Sequence, residues 1–539
     1  MLSRRSRSYH SNAPSRSHRR AIVITRHFRL RGTAVLRALR QNQSGLFPEE
    51  LPGGHSAVRM QLGTLLVLAN LITPEQLDEA LDRQVRQSGR LGEHLVAAGY
   101  LTPEALAAFL AKFPVEPKTI EATGLDETDL IELLIKQVHA FRLRSASEFG
   151  EAIKLPGFIV TELVRLALER KLLYAKGVRA DNSAVMTYDL TEEGKRFANY
   201  ALEKSQYNGP AAVTLKQFNE QVNLQKITNE IVTFDLVRQR IGDLNIEEEL
   251  LEQSGPALNS GRAILLYGPP GNGKTTFALR LADVFKDIVY IPYAVTVEGQ
   301  TIRVFDPSVH IAIKPNSSSD TRAQSILRSE EVDARWVACK RPFVVAGGEL
   351  TLEMLDLRYD PTSKLYEAPL HMKALGGCFV IDDFGRQLVS PANLLNRWIV
   401  PLESRVDYLK LHTGKSFSIP FDELVIFSTN LDPEDLMDPA FLRRLPYKIE
   451  IGAPSVALFK KILAKECLSH GIQVDEAMLD AIVHRIKVEK GLDLAAFQPR
   501  FVLDQVVGSC NFAEEPISLN PKYLNYAINN LRIKRADPA

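Results

Sequence analysis

The sequence predicts an α/β fold: a parallel sheet flanked by helices and followed by an all-helical segment, with two smaller domains ahead of it. Three observations carry this. First, Gly268, Pro269, Pro270, Gly271, Asn272, Gly273, Lys274 and Thr275 fit G-x-x-x-x-G-K-[ST]. The motif sits between the apolar run 263–267, which reads as a buried strand, and Thr276 with the apolar residues after it, which read as a helix start. Second, residues 377–381 form another apolar run that ends in Asp382 and Asp383. Third, two segments near the N-terminus repeat at an offset of 29 residues, each patterned as a pair of short helices.

Length and composition bound the rest. A chain of 539 residues is too long for one core and implies three or four domains. Its 45% hydrophobic and 24% charged residues are those of a globular protein, and no apolar run is long enough for a membrane span. Cys339, Cys378, Cys467 and Cys510 are scattered without a C-x-x-C pair. That excludes a disulfide framework or a cysteine zinc site and points to the reducing cytoplasm. Residues 1–48 carry 11 Arg and no Asp, Glu or Lys, leaving 55 basic against 65 acidic residues in the remainder. Residues 1–58 are expected as a basic, disordered tail without chemistry of their own.

The repeat spans residues 59–114. Gln61-Leu62-Gly63, Leu66, Leu77, Leu81 and Gln84 recur as Arg90-Leu91-Gly92, Leu95, Leu106, Leu110 and Phe113. Thr73-Pro74-Glu75 and Thr102-Pro103-Glu104 each supply an N-cap, a proline at the first helical position and an acid in the first turn. The spacing resembles the cyclic-di-GMP-binding MshEN domain of type II secretion and type IV pilus ATPases. That resemblance implies a cyclic di-GMP site at Gln84, Arg90, Leu91 and Gly92. Gln61 and Phe113 depart from it, standing where the family has an arginine and a glutamine that contact the dinucleotide.

Residues 115–205 read as helices over 125–140, around 147–153 and from 155 to 171. A two-stranded wing over 172–188 follows, with Asp181 and Asn182 at its tip, and then a helix opening near Leu190. This order looks like a winged helix, a fold often used on DNA. Its third helix offers only Arg165, Arg170 and Lys171, diluted by Glu162 and Glu169, which favours protein docking over DNA. Residues 206–240 read as a linker.

From 241 to 452 the pattern is that of the nucleotide-binding sheet. Glycines turn backbone N–H groups onto phosphate oxygens at a helix N-terminus, so residues 268–275 together with Thr276 form the cradle. Lys274 would reach the β- and γ-phosphates and Thr275 would hold Mg²⁺. Asp382 at the next strand end would complete the metal shell, and Asp383 would orient and deprotonate water. The apolar strand 424–429 ends in Asn430, suited to holding that water or the γ-phosphate. Asp438-Pro439 caps a short helix that ends in Arg443 and Arg444, and Arg500 opens a helix within the helical part 453–535.

In this order the set resembles the AAA+ ATPase family over residues 240–535. The resemblance implies Walker A at 268–275, Walker B at Asp382 and Asp383, sensor 1 at Asn430, an arginine finger at Arg443 or Arg444, and sensor 2 at Arg500. It also implies ATP and Mg²⁺ as ligands, a ring-shaped homo-oligomer and a protein client. Asp383 departs from the usual glutamate. Lys274 and Asp382 are 108 residues apart, beyond the family spacing, and the excess carries strand-like runs at 301–305 and 310–313. The competing readings are a nucleotide-switched DNA-binding regulator with little turnover and a secretion or pilus motor.

Overall fold

The computed structural model describes residues 62–531, apart from 69–70, 88, 179–184, 243, 245 and 314–331. The tail 1–58, Gln61 and the wing tip at Asp181 and Asn182 lie outside the described residues. The repeat folds as two helix pairs, Leu62–Leu68 with Pro74–Arg86 and Leu91–Ala97 with Pro103–Leu110. Thr73 Oγ1 accepts the Gln76 N–H and the Gln76 side chain accepts the Thr73 N–H, a capping box; Thr102 Oγ1 accepts the Ala105 N–H. The glycines explain the close crossing in each pair. A Cβ on Gly63 would lie 2.4 Å from a Leu77 methyl, and one on Gly92 would lie 2.7 Å from a Leu106 methyl. The same 14-residue spacing thus makes the same contact twice, over a core of Leu66, Ile72, Ala80, Leu91, Leu95 and Leu101.

Helices Glu127–Phe141, Ala146–Ile153 and Gly157–Glu169 follow, then the antiparallel hairpin Leu173–Val178 with Met186–Leu190, and helix Glu192–Lys204. Leu130, Leu134, Phe149, Ile159, Leu163 and Leu173 fill their common core. Two of the three basic residues expected on the third helix are spent locally. Arg165 pairs with Glu162 and Glu169 on its own helix, and Arg170 pairs with Glu127.

Residues 206–240, expected as a linker, carry regular structure instead. Val213–Thr214 is an edge strand, and Leu215–Leu224 and Phe234–Ile241 are helices that bury Phe218, Val222, Val237 and Ile241. The i, i+4 pair Phe218 and Val222 is a one-turn apolar stripe too short to stand out among polar neighbours. The edge strand joins Ala294–Val297, Gln300–Arg303, Leu365–Glu367 and Arg358–Asp360 in a second five-stranded sheet. Four strands of the long insertion between Lys274 and Asp382 therefore belong to this sheet. Of the strand expected at 310–313, only Ala312 makes a bridge, to Cys339. His310 is buried there instead: its Nδ1 accepts the Asp306 N–H at 2.9 Å and its Nε2 lies 2.8 Å from the Lys373 carbonyl. Burial pushes its pKa down to about 4, so the ring is neutral and Nε2 donates to that carbonyl.

The central sheet has strands β1 (Ile264–Tyr267), β2 (Phe343–Ala346), β3 (Cys378–Ile381), β4 (Leu424–Thr429) and β5 (Tyr447–Glu450). They are all parallel, in the order β5-β1-β4-β3-β2. Their continuous apolar runs follow from burial on both faces. Ile264, Leu266, Val380 and Ile426 face one core with Phe277 and Leu281; Leu265, Phe379, Val425 and Phe427 face the other with Trp398. Beyond the sheet, helices Val456–Ser469, Glu476–His484, Gln498–Phe512 and Pro521–Asn529 form an all-helical lid around Phe459, Leu463, Val502 and Val506. Among the described residues no helix is long and apolar enough to cross a membrane, and the four cysteines are free and buried.

One polar network braces the insertion against helix Pro391–Ser404 and strand Val406–Lys410, which follow the acidic pair. Asp407 is 2% exposed, with Oδ2 2.7 Å from His371 Nε2 and its two oxygens 2.7 and 2.9 Å from Arg397. Arg397 also reaches Asp356 at 3.2 Å, and Lys373, two residues past His371, pairs with Asp306 and Glu367.

Candidate functional site

The carboxyl ends of β1, β4 and β3 deliver the predicted groups to one edge. After β1 the chain turns through Gly268, Gly271 and Gly273, all at positive φ (133°, 83° and 87°). A side chain is excluded at two of them. A Cβ on Gly268 would lie 2.5 Å from the Ile451 carbonyl oxygen, and one on Gly271 would lie 2.4 Å from the Phe497 ring. Gly273 leads directly into helix Lys274–Ala282, so the loop ends on a helix N-terminus. Lys274 is 6% exposed and its Nζ donates to the carbonyls of Gly268 and Pro269, each at 2.8 Å. Burial lowers its pKa, an effect opposed by the charges of Asp383 and Asp382.

Two contacts join the cradle to the acidic strand. The Thr275 hydroxyl lies 2.9 Å from both Asp382 carboxylate oxygens. Asp383 adopts φ +51°, left-handed for a side-chain-bearing residue, and its Oδ1 accepts the Asn430 amide at 3.0 Å. The strand order explains the second contact, because β4 lies between β1 and β3 and its last residues emerge between cradle and acids. Gln387 holds the strained turn: its amide donates to the Asp382 and Asp383 carbonyls and accepts the Gly385 N–H. Sequence reading did not find Gln387, and the only signal for it was Gly385 just ahead of it.

The arginines separate. Arg444 is tied within its own chain to Glu403 and to the Ala440 carbonyl at 2.9 Å. Arg443 is exposed, and its side chain has no hydrogen bond or ion pair among the described residues. Arg500 is exposed and lies 4.0 Å from Asp504 along its helix. The chain just ahead of that helix touches the cradle: the Phe497 N–H donates to the Gly271 carbonyl at 2.9 Å and the Ala496 N–H to the Asn272 side chain at 3.1 Å. A cavity of about 320 Å³ opens beside Asn272, lined by Ile246, Leu250, Ile451, Leu458, Ile462 and Ala496. Its volume suits a small ligand, and its walls come from the start of the sheet domain and from the lid.

Thr275 and Asp382 fit a magnesium ion. One hydroxyl and one carboxylate, with phosphate oxygens and water for the remaining positions, is the donor set this hard cation favours. Among the described residues no group of three or more His, Cys, Asp or Glu is placed to hold a metal by itself.

In the N-terminal repeat, Gln84 donates to the Gly89 carbonyl at 2.9 Å, while Leu91 and Gly92 are buried in the helix crossing. Phe113 packs edge-on against Phe109 and against Tyr290 of the insertion, at centroid distances of 5.0 and 5.5 Å. Lys112 pairs with Asp287 at 2.8 Å, and the Asp333 N–H donates to the Pro114 carbonyl.

A family described as a domain of unknown function (DUF8689) matches residues 455–530, the lid. No curated protein sequence matches the chain. Among solved structures, NtrX from Brucella abortus in complex with ADP is 14% identical with a TM-score of 0.32. That alignment covers 64% of this chain and 63% of NtrX, so the chain spans under two thirds of that protein. The Thermotoga maritima RuvB Holliday junction branch migration motor is 15% identical with a TM-score of 0.31, covering 56% of this chain and 74% of RuvB. Likeness of this size assigns nothing further, and the fold stands on the sheet order and the cradle.

Proposed function

We propose that the chain is an AAA+-type ATPase that binds ATP with Mg²⁺ between cradle and lid and hydrolyses it to drive a change in a protein client. The observation that carries this is the Thr275 hydroxyl against Asp382, which joins the phosphate loop and the acidic strand in one metal-binding pair. Mg²⁺, when bound, would neutralise charge developing on the transferred phosphoryl group. Lys274 would leave its two loop carbonyls for the phosphates, the cavity beside Asn272 would take the base, and Asp383 with Asn430 would hold the attacking water. The lid, bonded to Gly271 and Asn272, would move with the occupancy of the cradle. Arg500, in the first turn of the helix that Phe497 precedes, would be its charge sensor.

Arg443 is the better candidate to complete a neighbouring subunit's site in a ring, since Arg444 is already held by Glu403. Arg443→Ala is expected to lower ATP turnover by a factor of ten or more while leaving ATP affinity intact. Arg444→Ala should instead lower the melting temperature. Turnover per subunit that is independent of Arg443 at all protein concentrations would remove the finger role.

The reading is tested by titrating the purified full chain with a fluorescent ATP analogue, with and without Mg²⁺, and following phosphate release. Asp383→Asn is expected to bind ATP as tightly as the parent and to release phosphate about 100-fold more slowly. A parent that shows no nucleotide affinity sinks the proposal. The Arg165 and Arg170 ion pairs support protein docking over DNA for residues 115–205. The four buried cysteines support a cytoplasmic setting. The packing of Phe113 on Tyr290 supports a docking role for the repeat at that position, with cyclic di-GMP as the regulator only if it binds through Gln84 and Arg90.

A further inference from the structure

Beyond Ile381 the chain turns through residues 382–387, with two of them at positive φ, Asp383 at 51° and Gly385 at 101°. Glycine adopts that backbone freely. Among residues with side chains, aspartate and asparagine adopt it most readily, because their short polar chains bond locally. A left-handed backbone therefore suits aspartate at 383 better than the longer glutamate. It also fixes the direction in which the carboxylate leaves the chain, and that direction leads to the Asn430 amide at 3.0 Å. The charge of Asp383 acts on Lys274 in the cradle as well.

Two sets of bonds hold this backbone, one from each side. Within the turn, Gln387 Nε2 donates to the Asp382 carbonyl at 2.9 Å and to the Asp383 carbonyl at 3.2 Å, and its Oε1 accepts the Gly385 N–H at 2.8 Å. Those two carbonyls belong to the peptide groups on either side of the Asp383 Cα, so one side chain constrains both its φ and its ψ. From β4, the Ser428 carbonyl accepts the Phe384 N–H at 2.7 Å, and the buried Thr429 hydroxyl donates to the Phe384 carbonyl at 2.8 Å. Thr429 precedes Asn430, so the turn is bonded to the strand end that presents its partner. Gly385 seats against the same strand end, where a Cβ would lie 2.8 Å from a Leu431 methyl.

We propose that Gln387 is the positioning residue for hydrolysis, holding Asp383 in the left-handed backbone that aims its short carboxylate at Asn430 and the attacking water. The inference rests on the ATPase reading. Among the described residues the side-chain hydrogen bonds of Gln387 all go to this turn, so it acts through Asp383 and takes no part in the bond changes. Thr429 ties the same turn to Asn430, which makes carboxylate and amide one unit set before nucleotide arrives.

Two variants test this. Gln387→Leu removes all three bonds; Gln387→Glu is nearly isosteric, keeps an acceptor for the Gly385 N–H and loses both donors. In single-turnover phosphate release by the full chain, each is expected to slow the rate about 10- to 100-fold, the scale of a small misplacement, with affinity for the fluorescent ATP analogue unchanged. The loss should depend on the carboxylate. In an Asp383→Asn background, Gln387→Leu is expected to change the rate by less than about twofold, because the two residues act through one contact. A merely structural glutamine would lower rate and affinity together, and by the same factor in both backgrounds. Parental turnover in either variant, affinity lost in step with rate, or additive losses in the double variant overturns the assignment. So does parental turnover in Asp383→Asn alone. A parent that binds no ATP overturns the ATPase reading instead, and one that binds ATP without releasing phosphate overturns the positioning role alone.

Discussion

Lys274→Ala is expected to weaken ATP binding about a thousandfold and to abolish turnover. In the folded chain the ammonium is nearly buried and bonded to two carbonyls of its own loop, so the side chain is already confined to the cradle. Moving it onto phosphate exchanges two neutral acceptors for charged ones, and charge-assisted bonds are the stronger kind. Losing the cation from a largely dehydrated charge pair costs about 2–5 kcal/mol, and a thousandfold is about 4 kcal/mol. Fluorescent-nucleotide titration and phosphate release measure both quantities on one preparation. The variant loses the carbonyl contacts as well, so its melting temperature without nucleotide should be recorded beside them. If Lys274→Ala hydrolyses ATP like the parent, the site lies elsewhere.

The second large effect is on stability. Asp407→Asn is expected to destabilise the fold by about 3 kcal/mol, because removing one partner of a buried ionic group strands the others. Burial alone would raise the Asp407 pKa, but hydrogen bonds and charge from His371 and Arg397 outweigh it and hold the pKa at about 2. That folded-state value lies below the unfolded carboxylate value near 3.9, so the ionised group stabilises the native state. Its contribution, about 2–3 kcal/mol by linkage, is fully present above pH about 5 and is lost as pH falls toward 2. Asp306, held at about 2 by Lys373 and Ser308 against burial, acts in the same direction. Urea denaturation of parent and variant at pH 7 and at pH 3 should show the gap between them narrowing in acid. A gap that is constant or widens would show that Asp407 carries no charge-dependent stability.

What could be read in the sequence was local or periodic. The cradle, the apolar strands ending in Asp382 and Asn430, and the 29-residue repeat each announce themselves within a few dozen residues. The rest depends on contacts between distant segments. The second sheet recruits Val213 and Thr214 to strands more than eighty residues later, which no local window contains. The cavity beside Asn272 is assembled from residues near 246, 451 and 462. Arg443 and Arg444 are adjacent and chemically equal in sequence, and only the position of Glu403 separates them. Gln387 serves a turn whose strain exists only once Asp383 has adopted a left-handed backbone.

The link between Phe497 and Gly271 has a consequence for how this protein can be altered. It runs from backbone to backbone, so replacing the Phe497 side chain leaves donor and acceptor in place, proline excepted, while Gly271 admits no side chain at all. If the cavity takes the base as proposed, its walls can therefore be redesigned to admit a different one without severing the backbone bond between lid and cradle. In the proposed reading, specificity and transmission are separate handles, and the second rests on a backbone bond that the Asn272 side chain only supplements.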